Sequence, residues 1–140
     1  MKTIPEIMLR DHARLHNLIQ EVKHKIPEDT KESHYLFIKL KWNLEKHFFI
    51  EEKVVFHIFS KLMPEESQEL SNLLIEHKSA LLLLQRIDQD FKNSGNFLEQ
   101  LDKLLTAHAN FEDKILYQRL EQQLSKEQKK LIFDRCEKFL

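Results

Sequence analysis

Four histidines and two glutamates interrupt an otherwise apolar pattern in this chain. Stepping alternately by three and four residues traces the buried seam of a helix. The first seam reads Met8, His12, Leu15, Ile19, Val22, and the second Phe37, Leu40, Leu44, His47, Glu51, Val54, Ile58. The third reads Leu70, Leu74, His77, Leu81, Leu84, Ile87, Phe91, and the fourth Leu98, Leu101, Leu105, His108, Glu112, Ile115. Every seam position is apolar except His12, His47, Glu51, His77, His108 and Glu112. Two carboxylates buried without partners would each cost roughly several kcal/mol or have to stay protonated. No Lys or Arg occupies these stretches of seam to neutralise them, so a cation is the simplest remedy. Four imidazoles and two carboxylates exceed what one structural zinc uses. They suit two ions bridged by the carboxylates, with nitrogen and oxygen donors appropriate for iron. Each Glu follows a His by four residues, which places both on one helical face, the His to hold one ion and the Glu to span two.

The elements that must position these side chains follow from the punctuation. Thr3 caps a first helix, with Glu6 as capping-box partner and Pro5 in its first turn, and Pro27 ends it near Lys25. Asp29, with Glu32, opens a second helix that continues to about Leu62. Pro64 and the acids after it start a third, which ends near "KNSGN". Asn96 with Glu99 opens a fourth, and Ser125 with Gln128 a short fifth. Short connections between long helices predict an all-α fold: an up-down-up-down antiparallel four-helix bundle with a short C-terminal fifth helix, one domain over 1–140. Measured from the connecting turns, the six polar residues lie within about one helical turn of a common depth.

Composition agrees. One Gly and three Pro in 140 residues fit long uninterrupted elements, and 32% charged residues fit strongly solvated outer faces. A formal net charge of −1 offers no basic patch for nucleic acid or an anionic membrane. The lone Cys136 fits a reducing compartment. The start "MKTIPEIMLRDH" lacks a signal-peptide run, and "ALLLL" is far short of a membrane span. A cytoplasmic protein, monomeric or weakly homodimeric, is expected.

The remaining polar residues are assigned elsewhere. His16, one turn beyond His12, belongs to the site edge or the surface; His24 and His34 flank helix ends; His57 lies off the seam. Glu52 and Glu76 can reach a ligand imidazole, with solvation as the default. A ferritin-like pattern of Glu-x-x-His pairs is met only by Glu21 and His24, off the seam. A His phosphotransfer module or a metal-free interaction bundle is the rival reading, but neither gives a reason for two seam glutamates.

The segments "DHARLH", "HFFIE", "EHKSAL" and "HANFE", on successive helices, resemble the hemerythrin-like, or HHE cation-binding, domain over essentially the whole chain. The resemblance implies a non-haem di-iron centre, oxo- or hydroxo-bridged. His12, His47, His77 and His108 would be its terminal ligands, Glu51 and Glu112 its bridges. It pairs His12 with His47 on one iron and His77 with His108 on the other. It further implies a small diatomic ligand, O2 or NO, in a pocket walled by Phe48, Leu81, Ile115 or their neighbours. Any redox activity would be that of the two irons, with no conventional enzyme reaction. Oxygen carriers of the family place a second His one turn along the third helix, where this chain has Leu81. They also place an Asp five residues after the last His, where Glu112 follows by four. The four-His, two-Glu pattern is closer to bacterial hemerythrin-like domains linked to nitric-oxide response and iron-centre repair.

Overall fold

A computed structural model describes residues 3–140. Its helices are α1 (Ile4–Lys25), α2 (Lys31–Ile50), α3 (Phe56–Leu62), α4 (Ser67–Gln89), α5 (Gly95–Phe111), α6 (Tyr117–Gln123) and α7 (Lys126–Phe139). They form four long rods and a fifth helix, because α2 and α3 are joined by a π-helical turn, Glu51–Val55, and α5 and α6 by another, Glu112–Leu116. The rods alternate in direction; α1 packs on α2 and α5, and α4 on α5 and α2. α7 packs against α1 and the turn at Glu51. No strand occurs among the described residues. The expected bundle with its short last helix is the observed fold.

Most helix ends follow the local chemistry read from the sequence. Thr3 and Glu6 form the first capping box, and Ser125 and Gln128 the last. Two starts differ. Asp29 takes a left-handed conformation, φ 47°, which a short polar side chain tolerates; Thr30 therefore becomes the cap, exchanging hydrogen bonds with Ser33. At the fourth rod the helix begins at Gly95, ahead of Asn96, and the Ser94 hydroxyl donates to the Phe91 carbonyl.

The π turns are the larger departure from uninterrupted helices. In each, an N–H reaches five residues back: Phe56 to the Glu51 carbonyl and Tyr117 to the Glu112 carbonyl. The wider turn holds an extra residue, so the inward face advances by one. Phe59 is fully buried where the seam placed Ile58, and Leu116 and Tyr117 are buried while Ile115 is 37% exposed. On α4 the inward residues are Leu73, His77 and Ala80, with Leu81 40% exposed. The core itself is in two parts. One apolar cluster includes Ile7, Met8, Val55, Leu73, Leu116 and Cys136. The other includes Leu15, Leu44, Phe48, Ala80, Leu84 and Leu101. Between Met8 and Leu15, and between Leu73 and Ala80, lies a polar layer.

Candidate metal centre

That layer contains all six seam residues. His47, Glu51, His77, His108 and Glu112 are buried, and the His12 side chain is 9% exposed. His12 Nε2 lies 3.2 Å from Glu112 Oε1, and His108 Nε2 lies 3.3 Å from Glu112 Oε2. His47 Nε2 and His77 Nε2 lie 3.3 and 3.1 Å from the same oxygen, Glu51 Oε1. The imidazoles form two pairs of nearly equal spacing: His12 and His47 with centroids 4.9 Å apart, His77 and His108 4.8 Å apart. Two overlapping groups result, His12–His47–Glu51–Glu112 and His77–His108–Glu51–Glu112, each with ligand atoms within 4.8 Å of one another. The glutamates belong to both groups; each histidine belongs to one.

Every imidazole is held from behind. Nδ1 of His47 meets Asp11 at 2.5 Å, and Nδ1 of His12 meets Asp113 at 2.9 Å. Nδ1 of His77 meets Glu52 at 2.9 Å, and Nδ1 of His108 meets Glu76 at 2.8 Å. With Nδ1 donating its proton to a carboxylate, the other ring nitrogen is turned inward, and in the neutral ring it is the acceptor that a metal ligand requires. Glu52 and Glu76, assigned by default to solvent, are therefore half-buried supports of the cluster. Asp11 and Asp113 leave no mark on the seams because they point off them.

These supports follow an internal repeat that the sequence carries. An acid precedes the histidine on the first and third rods, Asp11–His12 and Glu76–His77. An acid follows the inward glutamate on the second and fourth, Glu51–Glu52 and Glu112–Asp113. Each preceding acid holds the histidine of the next rod, and each following acid does the same, the fourth rod closing onto the first. The repeat breaks one turn on. Tyr117, fully buried, donates its hydroxyl to Glu51 Oε2. Its counterpart Phe56 has no hydroxyl and stacks on His77 at 5.6 Å. Both oxygens of Glu112 are consequently without a hydrogen-bond partner among the described residues, as are Nε2 of His12 and His47.

The charges are unbalanced without a cation. Burial raises the Glu51 carboxyl, but His47, Glu112 and His108 around it bring it well below the usual range. Glu112 is pushed up by burial and by the charge of Glu51. Burial lowers three of the imidazoles, yet the acids outweigh it: Asp113 and Glu112 lift His12 to about 10, Glu51 and Asp11 lift His47 to about 9, and Glu112 lifts His108 to about 11. Burial and the two glutamates keep the Tyr117 hydroxyl protonated well above its ordinary value. Protons thus fill in for positive charge that inward-facing nitrogens and unpaired carboxylate oxygens are arranged to receive. The donor set fits a metal.

A pocket of about 220 Å³ opens between α1 and α5 onto one edge of this layer. His12, His47 and His108 reach it; His77 does not. Phe48, Leu15, Ile19, Leu44 and Leu105 give it apolar walls, and His16, Asp102, Thr106 and Asn110 a polar rim. Phe48 is in the wall as expected, whereas Leu81 and Ile115 are not. His24, His34 and His57 lie outside the layer, and His34 instead pairs with Asp29 at 2.8 Å.

Comparison with known proteins agrees with this geometry. The family model described as the hemerythrin HHE cation binding domain matches residues 3–120. An uncharacterised hemerythrin-like protein of Schizosaccharomyces pombe (strain 972 / ATCC 24843) is 28% identical over 148 residues, covering 100% of this chain and 71% of the relative. No solved structure matches the chain.

Proposed function

The chain belongs to the hemerythrin HHE cation-binding family, and on that premise we propose that its polar layer is a non-haem di-iron centre for a diatomic ligand. In this reading His12 and His47 would hold one iron and His77 and His108 the other, with Glu51 and Glu112 available to both. The observation that carries the reading is the supporting ring of four carboxylates, one on each Nδ1, aiming four nitrogens at two shared glutamates. Neither a phosphotransfer module nor a metal-free interaction bundle has any use for that ring. Iron would supply reversible one-electron chemistry and open coordination positions for O2 or NO.

The protein's own part is to hold and to exclude. Phe48, stacked on His77 at 4.0 Å, and Phe56 on its other side cover His77, the one imidazole of the four that the pocket does not reach. The α1–α5 pocket leaves the His12–His47 side approachable by a small neutral molecule. Tyr117 fixes Glu51 by its hydrogen bond, which leaves Glu112 the less constrained carboxylate. No described helix is long and apolar enough to cross a membrane, and the free, buried Cys136 supports a cytoplasmic setting. We place the activity in ligand binding or sensing, linked to nitrosative or oxidative stress or to iron handling. The test is the ultraviolet–visible spectrum of anaerobically purified protein before and after O2 or NO. New charge-transfer bands after either gas are expected; a spectrum that neither gas changes overturns the reading.

A further inference from the structure

The α1–α5 pocket is larger than a diatomic ligand needs. One water occupies about 30 Å³ of liquid, and a cavity of about 150 Å³ accepts benzene; this one measures about 220 Å³. The internal repeat shows how the space arises. Phe48 follows His47 and Ala109 follows His108, so the two are counterparts. In one half, the Phe48 ring lies over His77, the histidine of the next rod, at 4.0 Å and 19°. In the other half the next-rod histidine is His12, and Ala109 supplies no ring to cover it. The pocket lies between Ala109 and His12 and is lined by both. We propose that this pocket binds a small planar neutral aromatic molecule, stacked on His12 in the place that Phe48 takes over His77.

Charge and shape argue for that class. The inner walls, Leu15, Ile19, Leu44, Phe48 and Leu105, desolvate an uncharged ring without cost to an ion. The volume suits one or two fused rings, about six to ten non-hydrogen atoms by comparison with the benzene cavity. An occupant there also screens the His12–His47 side from small molecules; only this consequence rests on the proposed di-iron reading. The test is calorimetric titration of the purified protein with benzene and with indole, beside cyclohexane as a non-planar control, with thermal melts of the same mixtures. Binding of at least one aromatic probe is expected, with a thermal midpoint raised by a few degrees near saturation and cyclohexane at least several-fold weaker. Ala109→Phe, which copies the Phe48 arrangement, is expected to weaken that binding at least 10-fold, and Ala109→Leu to weaken it in the same direction should the Phe variant not fold. Absence of heat and of any midpoint shift with both aromatics overturns the proposal, as does cyclohexane binding equally well or unchanged binding in a folded Ala109 variant. Iron content measured on the same samples separates the two claims: aromatic binding without iron sinks the centre alone, and iron without aromatic binding sinks the pocket ligand alone.

Discussion

Each of the six central side chains has a distinct share of the layer, and substitutions should reveal it. Glu51 and Glu112 belong to both ligand groups, whereas His12 belongs to one. Glu51→Ala and Glu112→Ala are each expected to empty both positions, and His12→Ala to reduce the metal content by about half of the two-ion complement, read by elemental analysis. Supporting acids should act through the imidazole they hold. Asp113→Ala removes the partner of His12 Nδ1 and is expected to weaken metal binding by about 10–100-fold, measured by competition with a chelator of known affinity. The six were legible in the sequence because each breaks an apolar seam. Of the four supports, only Glu52 and Glu76 stand out in the sequence as acids able to reach a ligand imidazole; Asp11 and Asp113 do not, since an acid next to a histidine or a glutamate is ordinary on a solvated helix. Only the repeat of acid–His on alternate rods and Glu–acid on the others distinguishes them. Asp113 shows the limit of spacing alone: it stands five residues after His108, yet it faces outward to His12 while Glu112 faces in.

At the scale of elements, helix number, order and most ends were legible from caps and prolines, but the two π turns were not. Nothing in "EEKVV" or "EDKIL" marks a wide turn. It arises where a glutamate must face the layer and the next inward residue must still reach the core. The fourth rod makes the consequence testable. Its π turn brings Tyr117 inward to Glu51 and carries Ile115 toward solvent. Inserting an alanine after exposed Lys114 would carry Tyr117 about 100° further round the helix and withdraw its hydroxyl from Glu51. The expected variant keeps its helical circular dichroism but loses most of its metal. Wild-type metal content in a folded insertion variant would show that the register set by the turn is incidental. On α4, alternating steps chose Leu74 and Leu81 over Leu73 and Ala80 because a small alanine carries little hydrophobic signal, though it is fully buried.

At the scale of the whole molecule, a polar plane divides two apolar clusters, so stability and metal loading are linked. Free of metal, the layer is held by imidazoliums whose folded values, about 10, 9 and 11 for His12, His47 and His108, exceed the ordinary 6.5. Their contribution is complete below about pH 6.5 and is lost as pH climbs through about 9 to 11. Metal binding needs the same nitrogens unprotonated. Chelated protein is therefore expected to melt at a lower temperature than loaded protein, and its midpoint to fall from pH 7 to pH 10 more steeply than that of the loaded form. Equal midpoints at both pH values, with and without chelator, would uncouple the layer from stability. The most direct measurement is anomalous X-ray diffraction at the iron edge from crystals of anaerobically purified protein. The expectation is two iron peaks between Glu51 and Glu112, one beside His12 and His47 and one beside His77 and His108. A single peak, a different metal, or density only from water at those positions would contradict it.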